Sequence, residues 1–256
     1  MNRAQGQITE GEELLQICAR AVPCLLSGAS GLIVERNEGA TLAISCEPVS
    51  WSNWLFITSE IALPKMLDYF VDRITKLRLP STILCTSELS SNIQPVAQRA
   101  GYTRVPDPVF MVLLAKSALP HTGSCVLKRL TDASMNHELV DIVGSAVGPP
   151  TEPLKRLLDP SALISKNIEV FLALRDSMPV ATVTTIITEG SVGIWRLVTQ
   201  SRYQRQGIGQ SVFGQIINLY WEQAIDRFYL IANPLGRGLY QKFGFVPIKS
   251  LAQWVR

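Results

Sequence analysis

The chain has 256 residues, 47% of them apolar and 18% charged, with a formal net charge of +3. That length allows one large domain or two of ordinary size. The weak charge, the lack of Lys and Arg clusters interleaved with aromatics, and the lack of any apolar run of spanning length exclude nucleic acid and membrane as expected partners.

The N-terminal stretch carries Glu10, Glu12 and Glu13 and no continuous apolar segment, so no secretory leader is expected. The cysteines (Cys18, Cys24, Cys46, Cys85 and Cys125) are odd in number and lack C-x-x-C spacing. Reduced, mostly buried thiols in a cytoplasmic protein are expected. With only His121 and His137 beside them, no metal site is expected.

In chain order, Thr9 and Glu12 form a capping-box pattern ahead of a helix carrying Leu14, Leu15 and Ile17. Leu42 to Ser45 and Trp54 to Thr58 read as strands, and Pro64 to Leu77 has helical spacing in Met66, Phe70, Ile74 and Leu77. Ile83 to Thr86, Val96 to Ala100 and Tyr102 to Val105 read as strand, helix and strand, followed by a strand from Val109 to Leu114. A join is expected at Lys116 to Ser124, where Pro120, Gly123 and serines sit between apolar runs.

The second half reads more clearly. Val126 to Leu130 is a strand, Asp132 caps a helix to about Gly144, the segment from Gly148 to Pro153 is a breaker, and Leu154 to Leu158 is a short helix. Val170 to Leu174 and Val180 to Ile187 are β-branched runs joined by a hairpin signal at Asp176 to Pro179. Glu189-Gly190 is a second turn, before a strand from Val192 to Val198. Beyond the glycine loop that follows, Ile208, Val212, Ile216, Tyr220 and Ala224 form one helical stripe, widened by Phe213 and Ile217. Arg227 to Ala232 is a strand, Pro234 to Phe243 a helix, and Phe245 to Ile248 a last strand, extended at Trp254-Val255. The segment Val96 to Tyr102 aligns with Leu239 to Phe245 about one domain length later, and the order of strands and helices repeats with it.

Gln204-Arg205-Gln206-Gly207-Ile208-Gly209 joins a strand to a helix. The first N–H groups of a helix have no internal partner, and glycines let backbone approach an anion closely, so this turn is a candidate anion cradle. A dinucleotide fingerprint would need a third glycine where Val212 stands, and a P-loop would need Gly-Lys-Ser/Thr. The stretch Val198 to Gly209 resembles the acetyl-CoA-binding motif of the GCN5-related N-acetyltransferases (GNAT superfamily), Q/R-x-x-G-x-G/A after a strand, through Gln204, Gly207 and Gly209. Leu239-Tyr240-Gln241-Lys242-Phe243-Gly244-Phe245 resembles the family's second signature, L-Y-x-k-x-G-F. The two lie in the family's order, with room between them for one helix, one strand and a turn.

The resemblance covers about Cys125 to Arg256. It implies an α/β (α+β) chain of two tandem GNAT-like domains, a degenerate one over 1–118 and a catalytic one over 125–256. Each would be a mixed, mostly antiparallel twisted sheet flanked by helices. It implies acetyl-CoA as acyl-donor cosubstrate, an unidentified amine acceptor, no metal, and a monomer or homodimer. The backbone of Gln204, Arg205, Gln206, Gly207, Ile208, Gly209 and Gln210 would hold the diphosphate, aided by a helix dipole worth about 0.3–1 kcal/mol. Arg205 would pair with phosphate oxygens, and Arg202 or Arg237 with the 3′-phosphate. Leu197, Val198 and Thr199 would hold the pantetheine arm like an added strand. Asn233 stands where the family often places a cofactor contact, and is equally a helix cap. Tyr240 occupies the position of the family's proton donor to the leaving thiolate.

No general base stands out. The strand from Val192 to Val198 lacks a carboxylate, leaving Glu169, Glu189, Glu152 and His137 as candidates, while Trp195 suits a wall of the acceptor pocket. No Cys or Ser sits in a nucleophile arrangement, which favours direct attack. The first half departs from the pattern: no Gly lies between Gly39 and Gly101, and Ala97 stands where Tyr240 stands in the second. The expected function is acetyl transfer from acetyl-CoA to an amine. The alternative is a catalytically weak acyl-CoA sensor or scaffold.

Overall fold

The computed structural model describes residues 3–62, 65–114, 119, 123–147, 152–159 and 167–256. In chain order the helices are α1 (Arg3–Ala21), α2 (Lys65–Leu77), α3 (Ser90–Arg99), α4 (Asn136–Val147), α5 (Glu152–Leu157), α6 (Ile208–Trp221) and α7 (Arg237–Lys242). The strands are β1 (Ile33–Asn37), β2 (Ala40–Ile44), β3 (Asn53–Ile57), β4 (Thr82–Thr86), β5 (Thr103–Val105), β6 (Val109–Leu114), β7 (Val126–Arg129), β8 (Ile168–Arg175), β9 (Met178–Thr188), β10 (Ser191–Thr199), β11 (Arg227–Ala232) and β12 (Val246–Val255).

Two compact units result, and they are not consecutive in sequence. The first holds Met1–Val112, Ile231–Gly238 and Val246–Arg256; the second holds Leu113–Leu230 and Leu239–Phe245. This division differs from the two segments 1–118 and 125–256 because the last strand pairs inside the first unit. β12 runs antiparallel to β4 from Leu251↔Thr86 to Val255↔Thr82, and also pairs with β5 and β6.

In the first unit β1, β2 and β3 are antiparallel neighbours and β3 and β4 are parallel. β2 and β4 are buried along their whole length, and their apolar side chains pack with Phe70 and Ile74 of α2, Ile93 of α3 and Trp254 of β12. The side chain of Asn53, fully buried, replaces backbone partners at one edge of this core. Its Oδ1 accepts the Ser45 N–H at 3.1 Å, and its Nδ2 donates to the carbonyls of Glu47 at 2.8 Å and Pro80 at 2.9 Å.

In the second unit the order is β7-β8-β9-β10-β11. The first three pairings are antiparallel, and β10 with β11 is parallel. β9 is central and buried from Val180 to Ile186, so its run of branched apolar and Thr residues has no polar face. Both hairpin turns that flank β9 use left-handed residues, Asp176 and Ser177 at φ 51° and 64°, and Glu189 and Gly190 at φ 50° and 68°. Such pairs match the twist of the strands they join.

The four strands β1 to β4 thus repeat the pairing pattern of β8 to β11: antiparallel, antiparallel, parallel. One difference separates them. β3 is paired to β4 from Trp54↔Thr82 to Ile57↔Cys85, the last residue of the strand. The ladder of β10 with β11 stops after Gly193↔Tyr229, while β10 continues to Thr199.

Several elements depart from expectation. α1 begins at Arg3, so Thr9 lies inside the helix and the capping-box reading fails. β1 was not foreseen, since its residues IVERN mix apolar and charged side chains over a half-exposed edge. α6 ends at Trp221, and Ala224 takes a left-handed conformation at φ 61° beyond it, which removes it from the core stripe. The last helix starts three residues late, at Arg237, because Pro234 to Gly236 form a turn on Asn233. β12 is one continuous strand of 10 residues rather than two pieces. The breaker at 148–151 and most of the join at 116–124 lie outside the described residues.

Candidate active site

β10 delivers the chain to the glycine loop, and a bulge shapes its last turn. Trp195 pairs with Thr184 and Val198 with Thr182, so Arg196 and Leu197 together face the single residue Val183. Arg196 takes φ 48° to make this fit. Burial of its guanidinium lowers its pKa to about 10, so the side chain stays cationic at neutral pH. Beyond the bulge, Leu197, Val198 and Thr199 are half-buried and have β9 on one side and no β11 partner on the other. Part of their backbone polar groups therefore face an open edge, the geometry that accepts an extended ligand as an added strand.

The loop follows a short 3₁₀ turn at Ser201–Tyr203. The Gln204 side chain ties it back to the strand, its Nε2 donating to the Thr199 carbonyl at 3.1 Å. Arg205 at φ 61° and Gly207 at φ 79° are left-handed, which turns the backbone into the N-terminus of α6. Gly207 is the N-cap and supplies no side-chain cap; the first helical bond is from Ser211 N–H to the Gly207 carbonyl at 2.9 Å. Among the described residues, the backbone N–H groups of Arg205, Gln206, Gly207, Ile208, Gly209 and Gln210 reach no protein acceptor. Orphan donors on an exposed turn at a helix N-terminus form an anion site.

α7 carries the second motif onto α6. Leu239 approaches Gly209, and the Tyr240 ring sits 5.2 Å from that of Phe213, which also contacts Phe243 and Phe245 at 5.0 and 5.3 Å. The Tyr240 hydroxyl has no hydrogen-bond partner among the described residues. Burial raises its pKa above the ordinary 10.0, so it is protonated at neutral pH and available as a donor.

The other expected residues are dispersed. Asn233 falls in the first unit, where its Oδ1 accepts the Gly236 N–H at 2.7 Å. Its amide serves the turn before α7. Arg237 is exposed in that unit too, whereas Arg202 stacks on the Tyr203 ring at 4.8 Å beside the loop. The candidate bases are engaged elsewhere or exposed. Glu169 pairs with Arg129 at 2.8 Å and accepts the Tyr220 hydroxyl at 2.7 Å. Glu152 pairs with Lys155, His137 with Asp141, and Glu189 sits in an exposed turn. Trp195 covers Gly193 next to Tyr229, and its indole Nε1 is buried without a partner among the described residues.

Two features escaped the sequence reading. The bulge rests on Arg196, a residue type with no preference for left-handed backbone. Arg175, at the end of β8, donates from Nη1 to Gln206 Oε1 at 2.6 Å and so belongs beside the loop. A basic residue directly before a hairpin signal was its only mark.

Residues 166–247 match the family described as acetyltransferase (GNAT) domain, a span that includes the splayed strand, the loop and the Tyr240 helix. The chain has the GNAT fold. A GCN5-related N-acetyltransferase from Kribbella flavida superposes with a TM-score of 0.65 at 16% identity, over 93% of this chain and 94% of its own. A functionally unknown conserved protein from Staphylococcus epidermidis ATCC 12228 gives 0.64 at 14%, over 89% and 94%. A tandem GNAT protein from the clavulanic acid biosynthesis pathway gives 0.52 at 10%, over 89% and 83%. No curated protein matches the sequence. At these identities the likeness is one of fold. Among the described residues no helix is long and apolar enough to cross a membrane, and no three His, Cys, Asp or Glu side chains cluster as metal ligands would.

Proposed function

We propose that the protein is an N-acetyltransferase that moves an acetyl group from acetyl-CoA to an amine by direct attack. The observation that carries this reading is the run of unpartnered N–H groups from Arg205 to Gln210 at the start of α6, next to a strand whose inner edge is open. The orphan donors suit a diphosphate, and the open edge of Leu197 to Thr199 suits the amides of a pantetheine arm. Acetyl-CoA supplies an activated acyl group: the amine nitrogen forms a bond to the acyl carbon as the carbon–sulfur bond breaks. Tyr240 holds a proton on its oxygen at neutral pH and delivers it to the departing sulfur. The amine's own proton leaves to solvent, since each candidate carboxylate is paired or exposed, and solvent returns a proton to the Tyr240 oxygen, so the transfer is proton-neutral overall.

The first unit is read as a degenerate copy in a tandem arrangement. Its strand order repeats, its β3–β4 ladder is closed where β10–β11 is open, and Ala97 replaces the tyrosine. A cytoplasmic location fits the free thiols. The engaged state of Glu169 favours one second reading, an acyl-CoA sensor with little turnover.

Calorimetric titration with acetyl-CoA, paired with thiol release across an amine panel, tests the proposal. Binding abolished by Gly207→Trp, with release that depends on Tyr240, supports the enzyme. Binding without release under any acceptor supports the sensor. No binding by the unmodified protein overturns both.

A further inference from the structure

A pocket of about 470 Å³ lies in the second unit, where the β7–β8 edge of the sheet meets the C-terminal half of α6. The strands contribute Arg129, Glu169 and Phe171 to it, and the helix contributes Gln215, Leu219 and its cap Glu222. We propose that it binds an α-amino acid with an apolar side chain, Arg129 taking the carboxylate and Glu222 the ammonium. The site is separate from the cradle. Gly209 of the cradle and Asn218 of the pocket stand about 14 Å apart along α6 by the helical rise per residue, so the occupant is distinct from the acetyl acceptor. The proposal stands without the acetyl-transfer reading.

Arg129 is held by a chain of polar contacts that runs into the core. Its Nη2 lies 2.8 Å from Glu169 Oε1. Glu169 Oε2 accepts the Tyr220 hydroxyl at 2.7 Å, and that hydroxyl also meets Thr185 Oγ1. Tyr220 and Thr185 are fully buried, and the Glu169 side chain is 12% exposed. With both oxygens engaged, Glu169 acts on Arg129 rather than on a ligand: it fixes the guanidinium at the pocket. The guanidinium is half-exposed and makes no other contact among the described residues, so donors are left for a second carboxylate.

The α6 side supplies acceptors. Glu222 is exposed at the C-terminus of the helix, and its carboxylate pairs with no cation among the described residues. The amide nitrogens of Gln215 and Gln223 are used, on the Cys125 and Leu219 carbonyls, each at 3.1 Å. Their amide oxygens have no donor among the described residues. An ammonium group has three hydrogens to donate, and the C-terminal end of a helix favours positive charge. Leu127, Phe171 and Leu219 supply the apolar lining. A simple cation would meet Arg129 and a simple anion would meet Glu222, whereas a zwitterion uses both. The volume is of the size that takes one small molecule.

The experiment is a thermal melt of the full chain with each of the common L-amino acids, followed by calorimetric titration of those that stabilise it. An apolar amino acid is expected to raise the melting temperature by about 3 °C at saturating concentration. Its amide, which lacks the carboxylate, and the corresponding carboxylic acid, which lacks the amine, are each expected to bind about tenfold more weakly or worse. Arg129→Gln is expected to weaken the amino acid about tenfold. Glu222→Gln is expected to weaken it about threefold, with the melting temperature of the ligand-free protein unchanged because the side chain is exposed. No stabilisation by any amino acid overturns the site and leaves the acetyl-transfer reading untouched. Stabilisation by charged amino acids alone overturns the apolar class. Full affinity for the amide or for the deaminated acid overturns the zwitterion assignment, and full affinity in both variants places the ligand elsewhere and overturns this pocket.

Discussion

The ring of Tyr240 lies 5.2 Å from that of Phe213 with the planes inclined by 51°, so the helix that opens at the glycine loop also positions the candidate proton donor. Phe213 is fully buried, and the contact is made by carbon atoms alone. Tyr240→Phe keeps that contact and removes only the hydroxyl. We expect kcat to fall by about 10²-fold or more, with acetyl-CoA affinity and melting temperature unchanged. A variant that turns over at the original rate removes Tyr240 from the mechanism.

Gly193 and Tyr229 face each other at the last rung of the β10–β11 ladder. A Cβ on Gly193 would stand 2.6 Å from Cε2 and Cζ of Tyr229 and 2.7 Å from Nε1 of Trp195. Both rings are buried. Gly193→Ala is therefore expected to cost about 1–3 kcal/mol through overpacking. That corresponds to a drop of several degrees, about 2–4 °C per kcal/mol, in a thermal melt. The Trp195 fluorescence should shift in the same variant. An unchanged melting temperature would mean that the space is larger than it looks.

Stability should decline on the alkaline side. Burial raises the pKa of the thiols of Cys18 and Cys85, the latter to about 12, and of the phenols of Tyr102, Tyr220 and Tyr240. Their ordinary values are 9.0 for the thiols and 10.0 for the phenols. Above those values the unfolded chain loses protons that the folded chain keeps. The stability these groups supply is thus complete below about pH 9 and is lost as pH rises toward the folded values. Melting temperatures from pH 7 to 11 should be flat at first and then fall. Cys18→Ala should reduce the steepness of the fall, and a flat profile to pH 11 contradicts the burial of these groups.

The second unit was legible because its signals are local. β11 is bounded by residues that start and end its apolar run, and Asp176-Ser177 and Glu189-Gly190 mark turns by their tolerance for left-handed backbone. The loop glycines announced a turn for the same reason. What stayed hidden is set by tertiary pairing. Nothing local tells that Leu251 to Val255 lie beside Thr82 to Thr86, since strands pair across any distance in sequence. Nor does the composition of β10 tell that its ladder with β11 stops at Gly193, or that Arg196 accepts φ 48° to form a bulge. Asn233 was readable as a cap or as a ligand contact; its side chain accepts the Gly236 N–H in the turn before α7.

The two loop glycines should separate stability from binding. Gly207 has open space around a Cβ but sits at φ 79°, where an L side chain is strained. Gly207→Ala is expected to cost about 1–2 kcal/mol of stability, and to weaken acetyl-CoA binding as the turn relaxes. Gly209 is the opposite case. It lies in the first turn of α6, and a Cβ there meets only Thr199 Oγ1 at 3.7 Å and Leu239 Cδ2 at 3.9 Å, ordinary contacts. Gly209→Ala should therefore hold or raise the melting temperature, by up to about 1 kcal/mol of helix propensity. Its N–H is nevertheless among the orphan donors, so a methyl group beside it narrows the approach of an anion. A more stable protein with weaker acetyl-CoA affinity is the expected result, read by a melt and a titration on one sample. If affinity is untouched while stability rises, the diphosphate does not come close to Gly209, and the cradle is narrower than residues 205–210.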